Sequence, residues 1–389
     1  DYENWKEANN NGKGWKIKYY KGLGTSTSKE FKEYFANRKF ITFKCDTEED
    51  CDAMDKAFNK TRADDRKTWL GNYDKDRRLN TNNKEKNSKE FVDDGLIHFS
   101  KYDCERSIGN AIDGLKTSQR KILFSTFKRN LIKEIRVAQL AGYVSEHSGY
   151  HHGEMSLNMA IVKLAQEFTG SNNINLLHPG GQFGTRLEGG SDAASVRYIH
   201  THLNKLTRYI FREEDDKILK YRDDDGVLVE PEYYLPIIPM ILVNGGKGIG
   251  TGFSMDVQQY NVLDIIKNIK DRLNDKKEKS KVNLYYEGFK GSIKEIDKDK
   301  RYVIKGVYRV LSHDTIRVTE LPIGMWTVNF KEHLESLMEG GSKDKKSKKE
   351  IKPIIKIYKD DSTDAVIDFT IRFCPGVLST LLSKKYDTD

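Results

Sequence analysis

Apolar residues recur at helical spacing in the middle of the chain. Between Glu154 and Phe168 they fall on one stripe, at Leu157, Ala160, Ile161, Leu164 and Phe168. Ser118 to Asn130 predicts a second helix, in which Leu123 and Phe127 lie four residues apart on a buried side. The two segments predict a helical block with its own core.

Other segments extend this pattern in both directions. A helix is predicted over Ser26 to Ala36, with Thr25 or Ser26 as its cap and Glu30 in its first turns. Helical patterns also cover Glu48 to Asn72 and Val262 to Leu273, and the second of these is amphipathic.

Strand and loop patterns flank the helices. Strands are predicted at residues 15–25, where the strand ends in a glycine turn, and at Lys300 to Leu311 and Thr315 to Leu321, which alternate. Asn80 to Glu90 and the basic segment Lys343 to Lys352 predict loops. Over residues 95–235, short helices precede a glycine-rich hairpin, which indicates a helix-turn-helix with a wing. After Pro236 strands and helices mix, and no internal repeat is found.

Composition adds a basic surface to this picture. The 389 residues carry a formal net charge of +8 and are 37% hydrophobic and 32% charged. A basic balance favours a polyanion such as nucleic acid as partner, although a lysine-rich composition explains it equally well. The four cysteines show no metal-ligand spacing and predict free thiols in a reducing compartment. The longest apolar run, Leu235 to Val243, is far shorter than the roughly 20 residues of a membrane span, so no membrane partner is expected.

The strongest chemical signal is the segment from Gln182 to Tyr198, a glycine-rich loop that ends in Arg197-Tyr198. Glycine lets the backbone approach a ligand closely, and a guanidinium matches phosphate oxygens. A tyrosine phenol that loses its proton is a nucleophile. The pair suggests attack on a phosphodiester; the alternative is a surface aromatic residue beside a surface cation.

Further polar residues could support that chemistry. His151 and His152 offer a donor or base near a helix start, or else a structural hydrogen bond or cap. A group of basic residues suits phosphate positioning, although a solvated helix face is the commoner role. Its members are Arg106, Lys116, Arg120, Lys121, Lys128 and Arg129.

Two further segments, one glycine-rich and one acidic, resemble ligand-binding motifs. Gly245 to Gly252 contains the letters GxGxxG, but no βαβ unit surrounds it, so a dinucleotide site is rejected. Ile249, held among glycines, is better suited to a wedge between base pairs, and the alternative is a tight turn with this side chain buried. Asp223 to Asp225 is disfavoured as a magnesium site, because such sites gather carboxylates from separate segments.

Several motifs together resemble the eukaryotic type IIA DNA topoisomerases. In chain order they are KYYKGLGTSTSKE, CERSI, DGLKTSQRKILF, AQLAGYVSEHSGYHHGE, GSNNINLL, QFGTRLEGG, DAASVRY, EPEYYLPIIPMILVNG and GIGTG. The resemblance is strongest over residues 100–255 and weak after about residue 330. A bacterial gyrase-type enzyme is disfavoured, because there the KGLG segment and the tyrosine belong to separate chains.

The resemblance implies an α+β multidomain fold. Residues 1–45 are expected to be the C-terminal part of a topoisomerase-primase (TOPRIM) α/β domain, and 46–94 a helical connector and linker. Residues 95–235 are expected to form a winged-helix domain with the catalytic tyrosine. Residues 236–389 are expected to form a mixed α/β tower domain that stops before a coiled-coil gate.

The resemblance also implies roles for residues. Tyr198 matches the tyrosine that forms a 5′-phosphotyrosyl bond, Arg197 its phosphate-stabilising partner, and His151 and His152 a pair near the scissile phosphate. Ile249 matches the intercalating side chain. The expected DNA contacts are Arg106, Lys116, Arg120, Lys121, Lys128, Arg129, Gln182 and Arg186.

Four departures from the family pattern stand out. Val196 replaces a proline, which puts the rigidity of the loop in question. Thr117-Ser118 replaces Pro-Gly at the start of the basic helix, Gly181 replaces an aliphatic residue, and Lys247 adds charge beside the wedge.

The implied enzyme is an ATP-dependent type II DNA topoisomerase that breaks a duplex transiently, passes a second one and reseals the break. Its Mg²⁺-binding and ATP-binding residues are expected outside this chain, which begins at Asp1 within a charged segment and is expected to be part of a longer protein that cleaves poorly alone. Double-stranded DNA, a homodimer and a nuclear location are implied, or a replication compartment if the source is a large DNA virus. The alternatives are a winged-helix DNA-binding module without catalysis and a purely structural segment.

Overall fold

The computed structural model describes residues 2–18, 20, 25–38, 40–80, 83–224, 226–297, 301–340 and 352–383. The chain divides into two compact units, Asp1–Phe99 and Ser100–Asp389. The predicted basic loop over Lys343 to Lys352 lies outside the described residues except for Lys352, as do Tyr19 and residues 21–24 of the KYYKGLGTSTSKE motif.

The first unit combines short helices with one pair of strands. Its elements are α1 (Tyr2–Ala8), a 3₁₀ turn (Asn10–Gly12), α2 (Ser28–Ala36), β1 (Thr42–Lys44), α3 (Glu48–Phe58), α4 (Ala63–Gly71), β2 (Glu85–Asn87), α5 (Ser88–Phe91) and a π-helical turn (Val92–Leu96). β1 and β2 pair in parallel. The predicted helices at 26–36 and 48–72 are confirmed, although the second is two helices.

Local hydrogen bonding sets the start of α2. Thr27 caps the helix, because its hydroxyl accepts a hydrogen bond from the Glu30 amide at 3.4 Å while the Glu30 carboxylate accepts one from the Thr27 amide at 2.6 Å. The predicted cap at Thr25 or Ser26 is therefore wrong by one or two residues.

Two other sequence expectations in this unit are wrong. The described residues among 15–25 form no strand. The loop predicted over Asn80 to Glu90 contains β2 and the start of α5, because residues 85–87 pair with β1, about 40 positions earlier in the chain. Such a long-range pairing leaves no local signal in a polar segment.

The second unit contains the remaining elements. Its helices are α6 (Ile97–Ser107, which starts just before it), α7 (Thr117–Lys128), α8 (Val137–Ser148), α9 (Glu154–Ala165), α10 (Thr207–Ile210), α11 (Met240–Val243), α12 (Val262–Leu273), α13 (Thr327–Glu339) and α14 (Val377–Ser383). Its strands are β3 (Ile135–Arg136), β4 (Leu177–Gly180), β5 (His200–Leu203), β6 (Tyr221–Asp224), β7 (Val227–Pro231), β8 (Gly246–Ile249), β9 (Ser254–Val257), β10 (Ser292–Asp297), β11 (Arg301–Lys305), β12 (Val307–Val310), β13 (Thr315–Glu320), β14 (Ile355–Asp360) and β15 (Phe369–Phe373). A 3₁₀ turn covers Glu213–Lys217.

The larger core lies among α7, α8, α9 and a three-stranded sheet of order β3-β5-β4. Leu123, Leu157 and Ile161 are fully buried there, as the helical spacing predicts. The stripe ends earlier than predicted, because α9 stops at Ala165 and Phe168 packs edge-on against Trp326 at 5.8 Å. This core fixes the loop between β4 and β5, which carries Arg197 and Tyr198.

A second core lies farther along the chain. It consists of the four-stranded sheet β12-β13-β15-β14 and α13, with Leu321, Leu334 and Phe369 buried between them. The predicted alternating segments correspond to β11, β12 and β13, and the predicted helix over Val262 to Leu273 is confirmed. The fold is mixed α/β. In the described part of the chain, each helix is too short or too polar to cross a bilayer.

Candidate active site

Tyr198 stands on a tight turn that the core holds from both sides. The turn closes with a hydrogen bond from the Tyr198 amide to the Ser195 carbonyl at 2.9 Å. The carbonyls of Val196 and Ile199 accept hydrogen bonds from the amides of Ala138 and Val137, at 3.2 and 3.0 Å. Ile199 is buried, whereas the side chain of Tyr198, the residue before it, is 71% exposed. The phenol is therefore presented to solvent on a fixed backbone.

Val196 stands where the family has proline, and the structure shows what restrains the turn there. Its side chain packs against the large core, and its carbonyl is bonded to the first turn of α8. Packing and a hydrogen bond thus restrain the turn where proline would have restricted the preceding residue.

Arg197 lies directly beside the candidate nucleophile. Its guanidinium is 5.6 Å from the centre of the Tyr198 ring and is exposed. Within the described part of the chain no carboxylate forms an ion pair with it. A cation next to an exposed phenol is suited to neutralise a phosphate that approaches the ring.

The glycine-rich loop before this turn is a built structure. The Gln166 side-chain amide, just after α9, donates to the carbonyls of Phe183 and Gly190 at 2.9 and 3.1 Å. Gly184 packs so closely on Gly190 that a Cβ there would lie 2.6 Å from the Gly190 Cα. Glycine is required at position 184, since a side chain there would push the two segments of the loop apart.

Arg186 does not have the role expected for it. It is buried, forms an ion pair with Glu320 and donates to the Leu321 carbonyl at 2.9 Å. Its guanidinium therefore joins the glycine-rich loop to the end of β13. The prediction that Arg186 contacts DNA directly is corrected by this burial. Gln182 is exposed, and its side-chain oxygen accepts a hydrogen bond from the Gly184 amide at 2.6 Å.

The two histidines follow the end of α8. Gly149 ends that helix in a left-handed conformation, φ 56°, and a Cβ at this position would overlap the Asp224 carboxylate. That carboxylate lies 3.3 Å from His151 Nε2, and His152 is hydrogen-bonded to the Tyr102 hydroxyl. Both imidazoles are thus oriented by partners from other elements.

A groove of about 700 Å³ collects most of the polar residues singled out in the sequence. Arg106, Lys116, Lys121, His151 and His152 line it. Within the described part of the chain, its lining does not include Arg197, Tyr198 or Ile249. The groove and the tyrosine are separate features of one unit.

Sequence reasoning missed two cations in this groove, Lys163 and Arg222. Lys163 is exposed on α9, away from the apolar stripe, which is the signal that could have identified it. Burial lowers the pKa of Lys116, and repulsion from Lys163 lowers it further. Five carboxylates, Asp103, Glu105, Asp223, Asp224 and Glu230, line the same groove, and Glu230 pairs with Lys121, so the groove is mixed in charge.

The basic residues of α7 divide into two groups. Arg120 is buried, and its guanidinium donates to Asp113 at 2.7 and 3.1 Å, so the expectation that it contacts DNA is corrected. Lys121 forms an ion pair with Glu230 at 2.8 Å. Lys128 and Arg129 are exposed, over the rings of Phe124 and Tyr143 respectively.

Two side-chain hydrogen bonds hold the start of α7 without the Pro-Gly of the family. The Lys116 amide donates to the Gln119 side chain at 2.8 Å, and the Thr117 hydroxyl donates to the Glu105 carbonyl at 3.0 Å. The first bond satisfies an amide at the start of α7, and the second satisfies a carbonyl in the last turn of α6.

Ile249 is the last residue of β8, next to the turn of the antiparallel β8–β9 hairpin, and it is 82% exposed. The buried-turn alternative is therefore wrong, and the glycine-rich segment forms a hairpin in place of the βαβ unit that a dinucleotide site requires. Gly248 and Gly250 on either side lie against Ser107 and Cys104, where a Cβ would overlap or crowd their atoms. Lys247 pairs with Asp256 at 3.2 Å.

Asp223 and Asp224 end strand β6 next to Gly226. Asp223 accepts a hydrogen bond from the Gly226 amide at 2.7 Å, Asp224 faces His151, and Asp225 lies outside the described residues. These two carboxylates have protein partners and do not converge as ligands of one Mg²⁺ ion. The cysteines Cys45, Cys51, Cys104 and Cys374 are free.

Comparison with known proteins agrees with this geometry. A family model for the A-subunit of DNA gyrase/topoisomerase IV matches residues 106–387, and one described as the C-terminal associated domain of TOPRIM matches residues 1–104. The chain is 48% identical over 387 residues to DNA topoisomerase 2-alpha of Rattus norvegicus, covering 96% of this chain and 25% of the rat protein. It is 49% identical over 381 residues to DNA topoisomerase 2 of Plasmodium falciparum, covering 97% and 26%.

A solved structure is also similar. The crystal structure of the Plasmodium falciparum topoisomerase II DNA-binding, cleavage and re-ligation domain has 48% sequence identity and a TM-score of 0.80, and the match covers 98% of this chain and 51% of that one. The chain spans about a quarter of the length of the curated relatives named above. The matches to both family models and the topoisomerase 2 relatives show that this chain belongs to the DNA gyrase/topoisomerase IV family and, within it, is similar to the eukaryotic topoisomerases 2.

Proposed function

We propose that this chain is part of an ATP-dependent type II DNA topoisomerase and that it makes the covalent bond to DNA. The observation that carries the proposal is an exposed tyrosine, Tyr198, on an anchored turn, with the Arg197 guanidinium 5.6 Å from its ring. The names of the relatives support the reaction class.

The phenolate oxygen of Tyr198 attacks the phosphorus of a backbone phosphodiester. A P–O bond forms to tyrosine, the bond to the 3′ oxygen breaks, and that oxygen takes up a proton. The protein is then joined to the 5′ phosphate, and Arg197 offsets the charge that grows on the phosphate oxygens. Resealing is the reverse attack by the 3′ hydroxyl. One phosphate ester replaces another, so resealing needs no ATP.

The groove supplies positioning for the DNA backbone. Arg106, Lys116 and Lys163 offer positive charge there, and His151 and His152 offer oriented hydrogen-bonding groups. The exposed Lys128, Arg129 and Gln182 extend this surface. Ile249 projects from its hairpin and is proposed to enter between base pairs, which bends the duplex.

The domain assignments follow as part of the same proposal. Residues 95–235 form a winged-helix domain, supported by α7, α8 and α9 beside the small sheet that flanks the glycine-rich loop. Residues 236–389 form the tower domain, 1–45 the end of a TOPRIM domain and 46–94 its connector. The whole enzyme acts as a nuclear homodimer with one tyrosine for each strand, and Mg²⁺ and ATP bind residues outside this chain.

The direct test compares two exposed tyrosines in the full-length protein. Tyr198→Phe removes only the proposed nucleophilic oxygen, and Tyr209→Phe is the matched control, because Tyr209 is 73% exposed. Labelled DNA is incubated with each protein and Mg²⁺, a denaturant is added, and the DNA that stays attached to protein is measured. Tyr198→Phe is expected to lower this signal at least about 1,000-fold, the scale seen when a covalent nucleophile is removed.

The control and the binding measurement decide between the functions. Tyr209→Phe is expected to form adducts normally, and DNA affinity in both variants is expected to stay within about twofold, as for other surface substitutions. Adducts that persist in Tyr198→Phe would overturn the assignment. Binding without any adduct in the wild-type protein would instead support the non-catalytic winged-helix module.

A further inference from the structure

Three side chains, two from adjacent strands and one from the residue just before β3, meet on one face of the small sheet. His178 of β4 lies opposite His202 of β5 in the antiparallel register, and Ile135 of β3 lies opposite Thr201. Continuing that register by one residue sets Glu134 opposite His202. The strand order β3-β5-β4 makes His202 the central member. Directly opposed residues on one sheet face are nearest neighbours, so this arrangement follows from the backbone.

The ligand atoms of these three residues converge. One donor atom from each of Glu134, His178 and His202 lies within 4.8 Å of the other two. His202 Nδ1 is 3.9 Å from Glu134 Oε1, and the two imidazole centres are 4.6 Å apart. Ligand atoms around a tetrahedral Zn²⁺ lie about 3.4 Å apart when each bond is about 2.1 Å long. Small side-chain rotations would bring this cluster to that spacing.

Two details indicate that the cluster is a site and not a chance grouping. His202 Nδ1 is buried and has no hydrogen-bond partner in the described part of the chain, and a buried polar atom without a partner is costly. A Cβ on Gly180 would lie 3.1 Å from Glu134 Oε1, so this glycine leaves the space that the carboxylate uses. An ion at the centre would satisfy the buried nitrogen and use the carboxylate as a second ligand.

We propose that Glu134, His178 and His202 bind one divalent cation of the late first-row type, with Zn²⁺ as the best match. Two imidazoles and one carboxylate are a ligand set that Zn²⁺ accepts, with a fourth position open to water. The ion joins the residue before β3 to β4 and β5, and β5 begins two residues after Tyr198. The ion cross-links the small sheet next to the turn that carries Tyr198. This site is separate from the Mg²⁺ proposed for DNA cleavage.

The test measures Zn²⁺ binding to this chain without DNA, so its outcome does not depend on the proposed DNA chemistry. The protein carries no histidine tag, and Cys45→Ser and Cys51→Ser are introduced as background, because these exposed thiols lie 3.8 Å apart and could bind Zn²⁺ themselves. Zn²⁺ affinity and stoichiometry are measured by competition with a chromophoric chelator. X-ray absorption then counts the imidazole ligands.

The background protein is expected to bind one Zn²⁺ with two imidazole ligands. His178→Ala, His202→Gln and Glu134→Gln are each expected to weaken binding at least about 10-fold, since even partners that only orient a ligand contribute that much. His313→Ala is the control, because that side chain is 89% exposed and lies outside the cluster. His178 is exposed, so its variant is expected to fold, and circular dichroism checks this.

Two results would overturn the proposal. One is Zn²⁺ affinity that His178→Ala leaves unchanged in a folded protein. The other is an absorption spectrum with fewer than two imidazoles around the ion.

Discussion

At the scale of single residues, the partner of a charged side chain decides what it does. The sequence places Arg120 and Arg186 at the DNA surface, yet each meets a buried carboxylate, Asp113 or Glu320. Arg197 and Arg129 carry the same charge but contact aromatic rings and remain exposed. We expect substitution of the buried arginines to lower stability and substitution of the exposed arginines to weaken DNA binding.

Arg120→Ala in α7 and Arg129→Ala at its C-terminal end test this separation as a matched pair. Removal of Arg120 leaves the fully buried Asp113 without its cation, which is expected to lower the free energy of unfolding by about 3–5 kcal/mol. Arg129→Ala is expected to change that free energy by less than about 0.5 kcal/mol and to weaken DNA binding. Urea unfolding and a DNA titration measure the two effects. Equal stability of the two variants would contradict the structural role of Arg120.

Single residues also show what the sequence can predict and what it cannot. Tyr198 and Ile249 stand out through their glycine-rich surroundings, and both are exposed, at 71% and 82%. The partner of Arg186 lies 134 positions later in the chain, and such a contact leaves no local signature. The same holds for Glu134, His178 and His202, which only the strand register brings together.

At the scale of elements, local signals predict helices and miss distant pairings. α9 and α12 follow from apolar spacing, and α2 from the polar residues at its start, signals that act within a few residues. β1 and β2 depend on each other across the first unit, so the polar segment that contains β2 resembles a loop in the sequence. In the β8–β9 hairpin, by contrast, a local signal predicts a distant contact. The glycines that suggest an exposed wedge also allow the hairpin to pack closely on α6.

Gly248→Ala tests whether that packing presents Ile249. A Cβ at this glycine would overlap the Ser107 carbonyl, so the hairpin must shift, at a cost of about 1–3 kcal/mol in stability. The DNA bend, measured by energy transfer between duplex ends, is expected to decrease. Ile249→Ala should reduce the bend with stability unchanged, because the side chain is exposed.

Gly142→Ala is the control for the glycine substitution. It lies on α8, where an added Cβ would meet nothing within 4 Å, and alanine in a helix interior is favoured over glycine by about 0.5–1 kcal/mol. This variant is expected to be slightly more stable and to bend DNA normally. A bend that survives in Gly248→Ala and Ile249→Ala would contradict the wedge.

At the scale of the whole molecule, a basic chain presents two separate features on its second unit. The groove contains Lys116 and Lys163, whereas the anchored turn carries Arg197 and Tyr198. A partner that contacts both features covers more surface than the groove alone, which suits a double helix. The net charge of +8 agrees with a polyanionic partner, and the chain's place among the topoisomerase relatives gives that partner its identity in our proposal.

The most direct test of the central claim is to locate the covalent bond itself. DNA cleavage by the full-length protein is stopped with denaturant, the DNA is trimmed with nuclease, and the protein is digested with trypsin for mass spectrometry. Our account predicts the remaining nucleotide on the peptide YIHTHLNK, residues 198–205, joined through its 5′ phosphate to Tyr198. A nucleotide on any other peptide, or one joined through a 3′ phosphate, would contradict it.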